Sequence, residues 1–208
     1  MIGLLVLLAF AVWRYTASDL PNAFTTEFPS DLKVYLLGGE KVAHHQPLYE
    51  ADLLPGLPFT YPPFAGVVFS WLAESTVLGV AWKAASVLVL LLVVRAGTDR
   101  HALLLTAVFV LCLSPVQGTL YFGQINLLLM GLVCLDFLPR VKLPGIGVGL
   151  AAGIKLTPAF FVLLFIQQRR WGAVFIAAFT FLCTVATGFS EVTDAKHFWT
   201  DAIFATSR

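Results

Sequence analysis

The sequence has few charged residues. Only 12% of its 208 residues are Asp, Glu, Lys or Arg, whereas soluble domains have about 25%. Hydrophobic residues make up 59% and the mean hydropathy is +0.86, which excludes an ordinary soluble globular protein. Thirteen Lys and Arg stand against twelve Asp and Glu, and this near-balance leaves no basic excess for a nucleic-acid partner. The composition predicts a membrane protein.

Cysteine is also scarce, and familiar catalytic signatures are missing. The three cysteines, Cys112, Cys134 and Cys183, lie in apolar runs without a C-x-x-C pair, so we interpret them as buried packing residues. The sequence has no D-x-D, no P-loop and no G-x-S-x-G, so nucleotide binding and serine hydrolysis lack a motif. The neighbours His44 and His45 would point about 100° apart on a helix, unlike an i, i+4 metal pair. We expect no metal and no cofactor.

Apolar residues are concentrated in seven runs. They are 1–13, 63–73, 76–94, 101–116, 125–138, 145–166 and 172–190. A straight helix needs about 20 residues to cross a bilayer, and several runs are shorter than that. Broken helices must be buried against other helices or line a cavity, because hydrocarbon cannot satisfy free backbone groups. The runs predict an all-α, polytopic membrane helical bundle that forms a single membrane domain over 1–208.

Orientation follows from basic residues in short connections. These pairs are Arg95 with Arg100, Arg140 with Lys142, and Arg169 with Arg170. Such pairs mark the cytoplasmic side. The segment 14–62 has three basic and six acidic residues, so we predict it to be a long first extracytoplasmic loop. Run 1–13 lacks the basic start of a signal peptide and is predicted to be a retained anchor helix.

The run 145–166 conflicts with a single crossing, because basic residues flank both of its ends. Lys155 lies halfway along it, and Pro158 removes a helical hydrogen bond and disfavours helix at Thr157. We predict a hairpin whose arms, about ten residues each, dip about halfway into the bilayer and return. The alternative is one kinked span with a central lysine. With the hairpin, 101–116 rises outward, 118–124 forms an outer turn, 125–138 descends, and 63–73 is a short helix at the outer interface.

The loop 14–62 contains its own predicted helix. Ser30 is a typical N-cap, and 31–45 has the periodicity of a helix. Its apolar stripe comprises Leu32, Leu36, Gly39 and Ala43. We expect this helix to lie along the membrane surface. Asp31 falls in its first turn, where the helix dipole stabilises an anionic carboxylate, and from position alone the simpler interpretation is a helix-terminus preference.

Lys155 is the strongest physical indication of a site. An ionisable residue inside an apolar segment faces a cavity or a partner, and Lys155 requires an anion, either a lipid phosphate or a structural carboxylate. Asp136 is a weaker candidate because Arg140, at i+4, can pair with it. Gln124 and Asn126 lie at a helix mouth, where amides also serve as caps or interhelical hydrogen bonds. In the predicted topology, an outward cavity holds a phosphate near Lys155 and an acceptor near Asp31.

Five short segments, taken in order, carry a resemblance to a known family. They are 31–35 (DLKVY), 47–49 (PLY), 59–63 (FTYPP), 123–126 (GQIN) and 149–158 (GLAAGIKLTP). Together they resemble glycosyltransferase family 87, the actinobacterial GT-C-type membrane enzymes that use polyprenyl-phosphate sugars. Tyr61 is by itself a typical interface anchor. The resemblance adds it and Tyr35 to the substrate-binding residues Lys155, Gln124 and Asn126.

The resemblance implies a mannosyltransferase of the plasma membrane whose site faces the extracytoplasmic side. Asp31 matches the family's general base on the first outer loop, which would take a proton from a glycolipid acceptor during inverting transfer. Lys155, chiefly on physical grounds, would stabilise charge on the donor phosphate. Family members are longer, so we expect these 208 residues to be the N-terminal part of an enzyme and to be inactive alone. Membrane lipids are the remaining expected partners.

Three alternatives to mannose transfer remain open. An arabinofuranosyltransferase would need the same phosphate recognition and the same base. A lipid-linked-sugar transporter or flippase would also use broken helices and an intramembrane lysine, although the sequence has no evident inverted repeat. A non-catalytic membrane scaffold would not need Asp31.

Overall fold

A computed structural model describes residues 6–7, 9–13, 27–99, 102–138 and 142–202. This part of the chain is helical, and its only β-contact is an isolated bridge between Leu54 and Leu57. The described residues of the predicted anchor helix are helical. Arg100 and Arg140, two of the residues behind the predicted orientation, lie outside the described ranges, as does 14–26 of the predicted outer loop.

The helices follow one another with short connections. In chain order they are α1 (Ser30–Ala43), α2 (Pro63–Phe69), α3 (Thr76–Gly97), α4 (Leu103–Cys112), α5 (Ser114–Phe122), α6 (Asn126–Asp136), α7 (Ile146–Ile154), a 3₁₀ helix (Thr157–Phe161), α8 (Val162–Gln167), α9 (Trp171–Glu191), α10 (Ala195–His197) and a π-helix (Phe198–Ala202). Ser75 caps α3 by accepting a hydrogen bond from Leu78 N at 3.1 Å.

Two helices of the described residues are long and apolar enough to cross a membrane. They are α3, with 22 residues, and α9, with 21. The bent pair α4 and α5 would make a third span if the two helices act together. Large apolar side chains remain exposed along both long helices, among them Val77 on α3 and Phe175 on α9. These features define a helical membrane protein.

The chain forms two compact units. The first unit contains residues 1–32 and 75–131. The second contains residues 33–74 and 132–208. Two of the three boundaries therefore fall inside helices, α1 and α6, and the third lies in the connection between α2 and α3.

In the first unit, α3, α5 and α6 share a core formed by Leu90, Leu120 and Leu127. The predicted run 101–116 is not one helix, because α4 and α5 are bent by 65° at Leu113.

Pro115 explains this bend, since it has no N–H to donate to Leu111 O. The side chain of Gln117, which is fully buried, donates to Leu111 O instead. The predicted outer turn at 118–124 is wrong for the same reason: once restarted at Ser114, α5 continues to Phe122, and only 123–125 turn.

The helix α1 differs from the predicted surface helix. It begins at Ser30 as expected but ends at Ala43, and both histidines that follow are exposed. Ala43 is exposed too, which contradicts its place in the apolar stripe, whereas Val34, Tyr35, Leu36 and Val42 are buried. The helix α1 is therefore packed into the protein on several faces, and its location along the membrane surface stays a prediction.

Two glycines explain the burial of α1 in the second unit. A Cβ atom at Gly38 would meet the Phe59 ring at 2.6 Å, and one at Gly39 would meet the backbone of Phe69. The missing side chains let the loop at Phe59 and the end of α2 pack directly on the helix backbone.

The second unit contains the predicted hairpin. Asp136 accepts hydrogen bonds from Gly147 N at 3.2 Å and Val148 N at 2.7 Å, at the start of α7. The next residue, Phe137, stacks on Phe165 near the end of α8, with ring centroids 4.9 Å apart. The start of α7 thus meets Asp136, and the end of α8 meets the adjacent residue Phe137. Because the two ends of 146–167 lie next to each other, the chain turns back on itself and does not form one kinked span.

The helix α9 packs beside α7 and runs in the same direction. Three glycines form the contact: Gly145 meets Ala173, Gly149 meets Thr180, and Gly153 meets Thr184. Gly145 has φ 111°, a conformation that favours glycine. Small residues at this spacing let helices approach closely.

The hairpin has a base and a tip. The base comprises Asp136, Phe137, the start of α7 and the end of α8, and the tip is Lys155. Arg170 contacts the base: its Nη2 donates to Asp136 O at 3.3 Å, and its guanidinium lies 5.1 Å from the Phe165 ring centroid. The connections around Lys142 and Arg170 therefore lie at one end of the second unit, and the side of the membrane on which they lie stays a prediction.

The cysteines only partly match their prediction. Cys112 is buried, but Cys134 is partly exposed and Cys183 is exposed on α9. An apolar run in a membrane protein has a face that need not be buried in protein, so position in such a run does not predict burial.

Candidate functional site

Asp31 lies in the first turn of α1, in the first unit. Its carboxylate accepts a hydrogen bond from Ser30 Oγ at 3.4 Å, and the side chain is partly exposed. The flanking residues Pro29 and Leu32 are buried. The carboxylate is therefore held near a helix N-terminus, where the dipole favours its charge, and solvent can still reach it.

The turn that carries Gln124 and Asn126 packs against this end of α1. Gly123 ends α5 with φ 70°, and a Cβ there would lie 2.5 Å from Pro29 Cβ and 3.1 Å from Leu32 Cβ. Only glycine combines this conformation with so close an approach. The structure thus brings the 123–126 turn beside the residues that flank Asp31.

The two amides of this turn bind each other. Asn126 Nδ2 donates to Gln124 Oε1 at 2.9 Å, and Gln124 N donates to Thr119 O at 2.9 Å. Trp82 Nε1 also donates to Gly123 O at 2.9 Å. These bonds stabilise the turn, which agrees with the simpler interpretation of the amides, and they leave Gln124 and Asn126 partly exposed.

Lys155 lies at the hairpin tip in the second unit. It ends α7 with extended backbone angles, φ −148° and ψ 129°, before the 3₁₀ helix begins at Thr157. Gly153, two residues earlier, contacts Thr184, which lies beyond the middle of α9. The end of α7 therefore lies beside the second half of α9, and the depth of the hairpin in the bilayer stays a prediction.

An aromatic ring faces the ammonium group of Lys155. Its Nζ lies 5.5 Å from the centroid of the Tyr61 ring, within the range of a cation–π contact. Tyr61 shares a hydrogen bond of 2.8 Å with Tyr35, oxygen to oxygen. Tyr35 in turn stacks on Phe69, with centroids 4.7 Å apart. Three predicted site residues, Lys155, Tyr61 and Tyr35, are thus in one cluster.

Two further residues of this cluster were not predicted. Tyr49 Oη donates to Tyr61 O at 2.8 Å. Asp194 accepts from Leu48 N at 2.9 Å and from Tyr49 N at 2.7 Å. Burial, helped by the charge of Asp194, raises the pKa of Tyr49, so its hydroxyl stays protonated and keeps donating. The segment 47–49 gave a signal for Tyr49, but nothing in the sequence pointed to Asp194.

The six predicted residues therefore form two groups. Asp31, Gln124 and Asn126 belong to the first unit, and Lys155, Tyr35 and Tyr61 belong to the second. The cavity shared by donor and acceptor stays a prediction. The chemistry of each group is distinct: the first offers a carboxylate that can accept a proton, and the second offers a cation that can meet an anion.

The described residues are helical and include two or three possible spans. With a carboxylate at a helix start and a cation at a hairpin tip, they are those of a helical membrane protein. Comparison with known proteins defines it further. The sequence profile of glycosyltransferase family 87 matches residues 59–208. The chain belongs to this family. No solved structure matches it.

Mycobacterial proteins are similar over most of the chain. One is the polyprenol-phosphate-mannose-dependent alpha-(1-2)-phosphatidylinositol pentamannoside mannosyltransferase of Mycolicibacterium smegmatis, 33% identical over 98% of this chain and 52% of the relative. Its namesake from Mycobacterium tuberculosis is 34% identical over 92% of this chain and 47% of the relative. A phosphatidylinositol mannoside mannosyltransferase from Mycobacterium tuberculosis is 31% identical over 98% of this chain and 53% of the relative. The chain spans about half the length of these curated relatives.

Proposed function

We propose that the full-length protein is a membrane mannosyltransferase that moves mannose from a polyprenyl phosphate to a glycolipid acceptor. The observation that carries the proposal is the similarity to mannosyltransferases of phosphatidylinositol mannosides, which extends over 98% of the chain. By analogy with those proteins, a phosphatidylinositol mannoside is the proposed acceptor.

Asp31 is the proposed general base. In the reaction, the Asp31 carboxylate takes the proton of an acceptor hydroxyl, whose oxygen forms a bond to the anomeric carbon of mannose. The bond from that carbon to the phosphate oxygen breaks, the configuration inverts, and polyprenyl phosphate leaves. A carboxylate held at a helix start and partly exposed suits this role because an acceptor can reach it.

Lys155 is the proposed partner of the phosphate. Charge develops on the phosphate oxygens as the bond to mannose breaks, and a fixed ammonium group lowers the energy of that state. The Tyr61 ring restricts the positions open to the ammonium. Tyr35, Gln124 and Asn126 are proposed to bind donor or acceptor hydroxyl groups through their polar atoms.

The proposed setting is a multi-pass GT-C-like bundle in the plasma membrane, with the site facing the extracytoplasmic side. The two spans α3 and α9 support several crossings. The common location of the connections around Lys142 and Arg170 supports one cytoplasmic end for the second unit. Lys155, at the opposite end of α7, would then face outward.

The experiment compares mannose transfer by the full-length protein and its Asp31→Asn variant, in membranes supplied with polyprenyl-phosphate-mannose and a lipid-linked mannoside. We expect turnover to fall by about 10²- to 10⁴-fold, the contribution of a positioned base, while donor binding is kept. Glu40→Gln is the matched control, because it removes one charge from an exposed position on the same helix.

Two outcomes would contradict parts of the proposal. Full turnover in Asp31→Asn would show that Asp31 is not the base and that its carboxylate serves only the start of α1. Transfer from polyprenyl-phosphate-arabinose but not from polyprenyl-phosphate-mannose would change the donor sugar and leave the base intact.

A further inference from the structure

Asp194 connects the end of α9 to the loop after α1. Its two carboxylate oxygens accept from the N–H groups of Leu48 and Tyr49, at 2.9 and 2.7 Å. Charge-assisted bonds to two successive N–H groups hold a loop in one orientation. The residues joined are 145 and 146 positions apart in the chain, so this contact fixes 47–49 relative to α9 and not merely locally.

Tyr49 passes this constraint to Tyr61. Its hydroxyl donates to Tyr61 O at 2.8 Å, and its ring packs against Phe198, with centroids 5.6 Å apart. Pro62 and Pro63 follow Tyr61, and prolines have fixed φ and no N–H. The peptide of Tyr61 is therefore held by the Tyr49 hydroxyl on one side and by a stiff turn on the other.

Tyr61 is the residue against which Lys155 lies. The hydroxyl oxygens of Tyr35 and Tyr61 are 2.8 Å apart, and this hydrogen bond restricts the rotation of the Tyr61 side chain. The centroid of the Tyr61 ring lies 5.5 Å from Lys155 Nζ. A lysine side chain carries its ammonium group on a flexible stem of four carbons. The contact with the Tyr61 ring therefore contributes to the position of the Lys155 charge.

We infer that Asp194 and Tyr49 are positioning residues, which hold Tyr61 and through its ring set the position of the Lys155 ammonium group. This inference rests on the proposed function, in which Lys155 meets the donor phosphate. It assigns the carboxylate of Asp194 a role at a site that it does not touch.

The first test measures the reactivity of the Lys155 amine without any sugar transfer. Purified full-length protein is treated with the acetyl ester of N-hydroxysuccinimide, and acetylation at each lysine is followed by mass spectrometry. In Tyr49→Phe and Asp194→Asn we expect Lys155 to react roughly three to ten times faster, because one hydrogen bond contributes a factor of that order. The exposed Lys142 of the same unit is the internal reference.

Matched variants separate positioning from general loosening. Glu191→Gln neutralises an exposed carboxylate three residues before Asp194, and Tyr121→Phe removes a hydroxyl in the first unit; both should leave the Lys155 rate unchanged. An unchanged rate in both Tyr49→Phe and Asp194→Asn would overturn the inference, and so would an equal increase at Lys142.

The second test uses transfer. Tyr49→Phe should raise the donor KM roughly three- to tenfold and leave the acceptor KM unchanged, and in a Lys155→Met background it should have no further effect. Equal losses in both backgrounds would overturn positioning through Lys155. If Lys155→Met itself leaves the donor KM unchanged, the proposed role of Lys155 fails, while the acetylation rates still decide whether Asp194 and Tyr49 position the amine.

Discussion

The base and the tip of the hairpin both carry a charged residue inside an apolar run, yet the two charges have different surroundings. At the base, Asp136 is 2% exposed and its two oxygens accept from Gly147 N and Val148 N. At the tip, Lys155 is partly exposed and lies over an aromatic ring. The Asp136 carboxylate thus holds the start of a helix, whereas the Lys155 ammonium group is in a cation–π contact.

The largest expected effect is at the base. Asp136→Leu should lower the free energy of unfolding by about 2–5 kcal/mol, because two buried N–H groups lose their acceptors at a helix start. Titration of the detergent-solubilised protein with SDS measures this. Asp136→Asn keeps one acceptor, so its free energy of unfolding should fall less. Asp99→Asn, at an exposed position, should leave the free energy of unfolding unchanged. If Asp136→Leu left the free energy of unfolding unchanged, the base of the hairpin would not need the carboxylate.

The next largest effect is expected where α7 packs on α9 near the tip of the hairpin. Gly153→Ala would place a methyl group 2.6 Å from Thr184 Cβ, and such overpacking costs about 1–3 kcal/mol. Gly172→Ala, in the same unit with open space around it, should instead stabilise by about 0.5–1 kcal/mol. The SDS titration again measures the free energy of unfolding. Equal changes of this free energy in the two variants would contradict close packing of α7 on α9.

At the tip, the expected effect is on transfer and not on folding. Lys155→Met keeps the length of the side chain and removes its charge, so transfer should fall about ten- to a hundredfold as one donor to the developing anion is lost. The unfolding midpoint should stay the same. Lys142→Met, at the basic end of the second unit, is the control; a comparable loss there would indicate a general effect of charge.

The smallest effect is at the Tyr35 hydroxyl. Tyr35→Phe keeps the stacking on Phe69 and removes the bond to Tyr61, so the free energy of unfolding should drop by about 0.5–1.5 kcal/mol and transfer by a few-fold. Tyr121→Phe should change neither. A loss of transfer as large as that of Lys155→Met would place the Tyr35 hydroxyl directly on the substrate.

Much of the helical order could be predicted from local signals. Ser30 and Pro63 mark the starts of α1 and α2, and the break after Ile154 follows from Pro158. The bend at Leu113 was missed although Pro115 is a local signal for it. Only the structure shows that the Gln117 side chain donates to Leu111 O in place of the missing backbone N–H. The burial of α1 was missed because it depends on segments distant in sequence: the Phe59 ring packs at Gly38 and the backbone of Phe69 packs at Gly39.

The candidate site divides in the same way. Lys155 could be identified because a lysine within an apolar run is costly wherever it lies, and Asp31 because its segment resembles a family. Asp194 could not, since a carboxylate after a helix looks like any loop residue until its two N–H partners, far away in sequence, are known.

By itself, the sequence determined that the protein belongs in a membrane, that it is helical, and that its run around Lys155 is broken, because composition, hydrophobic length and proline act locally. Tertiary structure alone decided that Asp136 holds the start of α7, that Asp194 holds the loop at 48–49, and that Lys155 lies against the Tyr61 ring. These contacts depend on packing, because the partners lie on segments that only the folded chain brings together.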